Sequence, residues 1–385
     1  MQPDEHFRAG SQTKTFVAVA VLRLVEKGAL SLDEPIGGLL PGVVTGNGYD
    51  DTAITVRHLL QHTSGIPANG LPLPQAGPDG TYTLAALVKD GLRFAPAAAP
   101  GVAFHYSNTN YEILGLLIEK VTGLPVYEAI TTGVIEPLGL TRTIFPAAGD
   151  RAVPEPAVRG YRGARIGGFF LWLDGTVYEP SNFYASGAVI STLKDLTAFY
   201  RALLGGEVLT PASLAELERT VEPGAPGVEY GLGITAYALS CGGKAWGHNG
   251  AVPGYFTQTL VTKDGRHASV VTNAHLVTNV PSAQMMKVLD TALRVPRLTC
   301  HRQMPPSRHL SPPLYRGTRG AAGTARTGAR DRCRSRAHSS PAGRAPTWRA
   351  VPPAFTGPSR PLPFCSVLLE HSVRFCSPTP RGPHA

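Results

Sequence analysis

The feature that most limits what this chain can fold into is a change of polymer near Pro296. From Arg297 to Ala385 there are 15 Arg, no Lys and only two acids, Asp331 and Glu370, a net of +13 set among Pro, Gly, Ser and Ala. The first 296 residues carry 21 Lys and Arg against 25 Asp and Glu, a net of −4, with apolar runs of the length and spacing that fill a core. This predicts one globular domain over residues 1–296 and a low-complexity, disordered tail over 297–385. The abruptness of the change has the character of out-of-frame translation of GC-rich DNA. The formal +9 of the whole chain belongs to the tail. Its Arg residues lack helical spacing and interleaved aromatics, so no nucleic-acid partner is expected.

Four of the five Cys (Cys300, Cys333, Cys365 and Cys376) also fall in the tail. Cys241, in the loop-like Ser240-Cys241-Gly242-Gly243, reads as a buried free thiol or as the partner of Cys300. No stretch reaches the roughly 20 apolar residues that span a bilayer. The run Phe16 to Leu22 is continued by Leu24, Val25 and Leu30 at helical spacing, which marks a buried helix and not an export signal.

Along the domain, helical patterns come first and the clearest strands late. An antiparallel sheet flanked by helices, with a mostly helical subdomain, is therefore expected: an α+β fold, or α/β sandwich. Helices are predicted over Ser11–Lys27, Val56–His62, Asn108–Thr122, Leu193–Leu204 and Ser282–Leu293. Gly28 and Gly123 stand at two of the ends, and Ser191-Thr192 before the fourth start. Strands are predicted over Tyr230–Tyr237, Lys244–Gly247, Tyr255–Thr262 and Ala268–Asn273, with Asp264-Gly265 as a hairpin turn. Residues 151–180 read as an irregular surface excursion.

Three strings can carry chemistry. Gly10-Ser11-Gln12-Thr13-Lys14 sets a hydroxyl and an amine three residues apart, on one face at the start of an apolar helix. A Ser hydroxyl needs a base to become nucleophilic, and a Lys serves only if burial and the positive helix end bring its pKa down from about 10.4. In Tyr106-Ser107-Asn108, at the mouth of the third helix, Tyr106 could shuttle a proton and Asn108 could hold a substrate amide or Lys14. The same string also fits a tyrosine packed against a helix whose N-cap is Asn108. In Gly247-His248-Asn249-Gly250-Ala251, at a strand end, glycines admit a substrate backbone and the edge offers an N–H to an oxyanion; a turn histidine fits equally. His58 and His62 have the i, i+4 spacing of zinc ligands but no Glu between them, and read as structural. No metal and no cofactor are expected.

Taken together with Thr55 to Pro67, Pro100-Gly101 and Ser186 to Thr192, these strings make residues 7–293 resemble the serine β-lactamase-related hydrolases. The likeness is to the class C β-lactamase and D-alanyl-D-alanine carboxypeptidase kind, and within it to secreted actinobacterial carboxypeptidases. The resemblance implies Ser11 as the acylated nucleophile, Lys14 as its proton acceptor and Tyr106 as proton donor to the leaving group. It further implies Asn108 as a bridge between Lys14 and substrate, and His248 at a position held by Lys or His. The backbone N–H groups of Ser11 and Ala251 would form the oxyanion hole, with Gly250, Asn249 and Thr235 lining the substrate pocket. By the same resemblance the protein is a monomer of the cell envelope or extracellular space, acting on a small peptide, ester or β-lactam.

Two departures qualify this. Carboxypeptidases of the kind bind the free carboxylate of D-alanine with an Arg after Tyr-Gly-Leu-Gly and with Thr in the third string. Here Thr235 follows Tyr230-Gly231-Leu232-Gly233-Ile234, while Asn249 and Ala251 replace the threonines, and a carboxylate left unpaired there would be costly to bury. The family also normally has a signal, a helix and two strands before the nucleophile; with ten residues before Ser11, the sheet is expected to lack edge partners. The reading is thus an acyl-serine hydrolase of carboxypeptidase or β-lactamase type. The alternatives are an esterase or D-amino-acid peptidase of the same family, or a truncated non-catalytic relative that binds peptide or peptidoglycan.

Overall fold

Helix α1 (Thr13–Glu26) is apolar around its whole circumference from Phe16 to Leu22, so it lies inside the molecule: every residue from Thr13 to Leu22 is buried. A 3₁₀ turn, Gly10–Gln12, leads into it, so Ser11 sits on the turn and Lys14 on the α-helix proper. The computed structural model describes residues 1–68, 74–166, 169–276 and 282–294, together with the strand 367–371.

Helix α2 (Val56–Leu60) opens on a reciprocal cap in which Thr55 Oγ1 accepts the His58 N–H and His58 Nδ1 accepts the Thr55 N–H. It stops at Leu60, two residues before the expected end, because His62 adopts a left-handed backbone with φ +58°. Helix α3 (Asn108–Thr122) has the predicted bounds, and Gly123 closes it at φ +71°. The N-cap position belongs to Ser107, so Asn108 is the first helical residue and not the cap. Helix α4 (Leu193–Leu204) begins where Thr192 Oγ1 accepts the Asp195 N–H.

Two strands, β1 (Tyr161–Ile166) and β2 (Phe169–Asp174), form an antiparallel hairpin in the segment expected to be irregular. Glycines in and beside it are close-approach positions. A Cβ on Gly163 would stand 2.5 Å from the Trp172 ring, and one on Gly175 would stand 3.1 Å from the Gly254 nitrogen. One face of β2 (Phe169, Leu171, Leu173) is exposed, so the run lacks the half-buried alternation by which strands are recognised.

The main sheet follows: β3 (Val228–Tyr230), β4 (Thr235–Ala238), β5 (Lys244–Val252), β6 (Tyr255–Thr262) and β7 (His267–Thr272). A short β8 (Ala274–Leu276) pairs in parallel with β1, and α5 (Ser282–Leu293) has its predicted bounds. A further strand, β9 (Val367–His371), lies antiparallel to β7, at the sheet edge expected to lack a partner. The sheet order is β9-β7-β6-β5-β4-β3, antiparallel throughout. The rest of the 297–385 tail, Cys300 included, lies outside the described residues. Cys241 is exposed and free, not buried.

Period-two alternation sorts the sheet's side chains between its faces. Ala245, Leu260 and Val270 join Met285, Leu289 and Leu293 of α5 in one cluster, while Trp246, Val261 and Val271 join the main core with α1 and α4. Two strand expectations change. The stretch Tyr230–Tyr237 is split by a turn in which the Gly231 N–H donates to the Ile234 carbonyl at 2.7 Å. The strand from Lys244 runs on to Val252, which places His248 to Ala251 inside it and not at its end.

The turn between β3 and β4 rests directly on α1. At Gly233, φ is +73°, and a Cβ there would meet Ala18 Cβ at 2.6 Å, Tyr111 Oη at 2.8 Å and the Lys14 carbonyl at 3.0 Å. Gly233→Ala should therefore lower stability by about 2–4 kcal/mol, from overpacking plus an unfavourable backbone. A urea midpoint within error of the parent protein would show that α1 gives way at this contact.

Candidate active site

Four elements converge on Ser11. The 3₁₀ turn holds the half-buried hydroxyl, α1 brings Lys14, the loop before α3 brings Tyr106, and β5 runs past the turn on the far side. Glycine permits the last approach. A Cβ on Gly250 would lie 1.9 Å from the Ala9 carbonyl oxygen, and one on Gly10, at φ +60°, would lie 3.0 Å from the Ala251 nitrogen. The β5-β6 hairpin closes through Pro253-Gly254 with Val252 opposite Tyr255. By ladder alternation the Ala251 amide is then directed away from β6, toward the turn that carries Ser11.

Lys14 is completely buried. Its Nζ donates to Asn108 Oδ1 at 2.8 Å and to the Ser186 carbonyl at 2.9 Å, and stands 3.4 Å from Ser11 Oγ. Burial brings its pKa down to about 7, and the Glu112 carboxylate opposes the fall. A neutral amine has two N–H bonds and one lone pair. With both N–H bonds taken by Asn108 and Ser186, the lone pair is left for the Ser11 hydroxyl. The 3.4 Å separation is of the loose kind that tightens when substrate binds.

Tyr106 is 36% exposed at the mouth of the site, and its phenol is pushed up by desolvation, an effect that the neighbouring Ser11 hydroxyl offsets in part. The Lys14 ammonium position lies 4.9 Å from the Tyr106 ring centroid. Behind it, His62 packs at 4.3 Å between centroids, and Tyr230 stands edge-on to Tyr106 at 6.3 Å. The Ser107 N–H donates to His62 Nδ1 at 3.2 Å, which ties the Tyr106-Ser107-Asn108 segment to the loop after α2.

His248 is fully buried, with its ring centroid 6.3 Å from that of Tyr106. Its Nε2 pairs with the Tyr230 hydroxyl at 3.0 Å, and its Nδ1 lies 2.6 Å from the Asn249 carbonyl. Burial pushes its pKa down to about 3, with the charge at Lys14 acting in the same direction, so the imidazole is neutral. Asn249 is half-buried on β5 opposite Gln258, Ala251 is exposed, and Thr235 is buried on β4 opposite Gly247. Among the described residues no cluster of His, Cys, Asp or Glu could hold a metal ion, and His58 and His62 are engaged in capping and in the loop contact above. None of the described helices is long and apolar enough to cross a membrane.

A family model described as Beta-lactamase matches residues 1–293. The chain belongs to that family. Of solved structures, a D-stereospecific amidohydrolase from Streptomyces sp. superposes with a TM-score of 0.65 at 39% identity, covering 70% of this chain and 83% of that one. The penicillin-binding protein PbpX of Bacillus subtilis (strain 168) is 30% identical over 69% of this chain and 61% of its own length. Esterase EstB of Burkholderia gladioli is 30% identical over 58% of this chain and 63% of its own. The chain thus spans less than two thirds of the length of these two relatives. The expected family and fold class both hold.

Four residues around the site escaped the sequence reading. Glu112 follows Asn108 at i+4 on the same face of α3, a spacing that could have exposed it as a polar residue in an apolar stripe. Tyr230 stands at the head of the Tyr-Gly-Leu-Gly string, and His62 four residues after His58, but nothing local shows that their rings meet. Ser186 acts through its backbone carbonyl, which leaves no mark in sequence.

The buried neutral His248 has a consequence for stability. An unfolded His takes up a proton below about pH 6.5, while the folded one resists until about 3, so stability is intact above 6.5 and is lost as pH falls between those values. The loss from this group should approach about 1.4 kcal/mol per pH unit within the window. His248→Asn should flatten the acid side of the stability curve by that slope, measured by urea titration at pH 7, 6, 5 and 4; parallel curves would show that His248 is protonated in the folded protein.

Proposed function

We propose that this protein is an acyl-serine hydrolase acting on an amide or ester whose leaving side carries no free carboxylate. One observation carries the reading: the buried Lys14 amine has both N–H bonds satisfied by Asn108 and Ser186 and its remaining position turned to Ser11. In the acylation step Ser11 Oγ bonds to the carbonyl carbon while its proton passes to Lys14 Nζ. The carbonyl electron pair moves onto oxygen and is held by the Ser11 and Ala251 amides, each such donor contributing roughly 3–4 kcal/mol. Collapse breaks the bond to the leaving nitrogen or oxygen, which takes up the Lys14 proton by way of the Tyr106 phenol. Water then attacks the acyl-serine by the reverse proton route.

Asn108 fixes the amine and faces the substrate. His248 acts by anchoring Tyr230 beneath Tyr106. Thr235, Asn249 and Gly250 shape the pocket. Thr235 offers a hydroxyl where a carboxypeptidase has an Arg, and Asn249 an amide where it has a Thr, which supports a neutral substrate end. The amidohydrolase and esterase likenesses point the same way. We further propose that it works as a monomer, since the groups of the site come from one chain. Its place is then the cell envelope or the extracellular space, in keeping with relatives named as penicillin-binding proteins.

Incubation with a fluorescent penicillin or an activated ester should label the protein covalently, and Ser11→Ala should abolish the label. A wild-type chain that no acyl donor labels would leave the non-catalytic peptide-binding reading in its place. Because Lys14 must be neutral to accept the proton, the acylation rate should rise with pH through about 7 and level off above it. D-Amino-acid amides and esters should be turned over at least about tenfold faster than the matching dipeptides with a free terminal carboxylate, given the cost of burying an unpaired charge; equal rates would restore the carboxypeptidase reading.

A further inference from the structure

Glu112 is a buried carboxyl that the reaction above does not use. It lies on α3 one turn after Asn108, is 2% exposed, and accepts the Ala185 N–H on Oε2 at 2.9 Å. Neighbouring Ser186 also favours its charged form, against burial. The Ala185-Ser186 turn is therefore held from two sides: the Glu112 carboxyl takes the Ala185 N–H on one, and Lys14 Nζ donates to the Ser186 carbonyl on the other.

We propose that Glu112 is a positioning residue for Lys14, locking the Ala185-Ser186 turn so that the Ser186 carbonyl takes one N–H of the amine and supplying the negative charge that governs how firmly Lys14 keeps a proton. This rests on the reading of Lys14 as the base. The groups facing the pair are Tyr106, Tyr111 and Asn108 from α3 and its leading loop, His62 from the loop after α2, and Tyr230 and His248 from β3 and β5. Desolvation leaves both imidazoles and all three phenols uncharged at neutral pH. Among the described residues Glu112 is thus the anion that acts on Lys14, and Lys14 the cation that acts on Glu112. Burial pushes the Glu112 carboxyl up to about 7, the value to which it brings Lys14 down, so the two groups exchange protons over one pH range.

The test is Glu112→Gln in the full chain, with kcat/KM for an activated ester measured from pH 5 to 9 and folding checked by circular dichroism. The amide still accepts the Ala185 N–H but carries no charge. Without the anion Lys14 releases its proton more readily, so the acid limb should move to lower pH by up to roughly one unit, and the variant should outpace the parent between about pH 6 and 7, where Glu112 becomes charged in the parent. Glu112→Asp, which keeps the charge and shortens the reach, should retain the parental limb with a lower plateau. A folded Glu112→Gln with an unmoved limb, whatever its plateau, overturns the proposal, because a purely structural role predicts loss at every pH. Should Glu112→Gln not fold, the ¹³Cε resonance of Lys14 in the parent protein decides: titration in two coupled steps supports the pairing, and a single step overturns it. Absence of Ser11 labelling in the parent protein would instead count against the hydrolase reading itself, so the two failures are distinguishable.

Discussion

A lysine amine with no access to water sits at the centre of this molecule, and the rest of the structure is arranged around the cost of keeping it there. Moving the Lys14 pKa from 10.5 to about 7 corresponds to about 5 kcal/mol of preference for the neutral form. An unburied lysine would show none of it. The burial comes from α1, apolar on every side, with α3 packed along it and aromatic rings closing the end that faces the cleft. The hydrogen bonds to Asn108 and Ser186 do not relieve desolvation of the charged form so much as they orient the neutral one. Direction, more than basicity, is what a proton acceptor 3.4 Å from a hydroxyl has to supply.

That arrangement requires loops to behave like a rigid element. The segment from Phe104 to Asn108 has no ladder of its own and is stitched to the loop after α2. The His105 N–H donates to the His62 carbonyl at 2.8 Å, and the Ser107 N–H to the His62 ring at 3.2 Å. His62 takes a left-handed backbone and gives up its charge to do this, two local costs accepted for one placed phenol. His248 follows the same logic from the sheet side. Its position within β5 resembles that of a catalytic cation, but burial and its bond to Tyr230 make it a neutral prop.

On the opposite wall the demand is for missing atoms. Gly10 and Gly250 let β5 pass Ser11 closely enough for the Ala251 amide to face the same space as the Ser11 amide, and any Cβ at Gly250 would fall on the Ala9 carbonyl. Beside this wall Thr235 and Asn249 offer neutral polar groups and no charge.

Much of this was legible in residue order alone. Caps and periodicity placed α3, α4 and α5 almost to the residue, since a Thr oxygen, a terminal Gly and an apolar stripe act over a few neighbours. The spacing of Ser11 and Lys14 on one helical face is likewise local, as is the presence of Tyr106, Asn108 and His248 in their strings. The hairpin at 161–174 was missed because its glycines answer to Tyr255, Trp172 and Gly254, partners remote in sequence or on the facing strand. Tertiary structure alone decided that Lys14 is dry, that Glu112 and Ser186 share its turn, and that His248 is uncharged. Protonation and orientation follow from which groups exclude water and which carbonyls converge, and those contacts join residues from 18 to 172 positions apart. Sequence by itself determined which functional groups the site could draw on; packing determined their charge and direction.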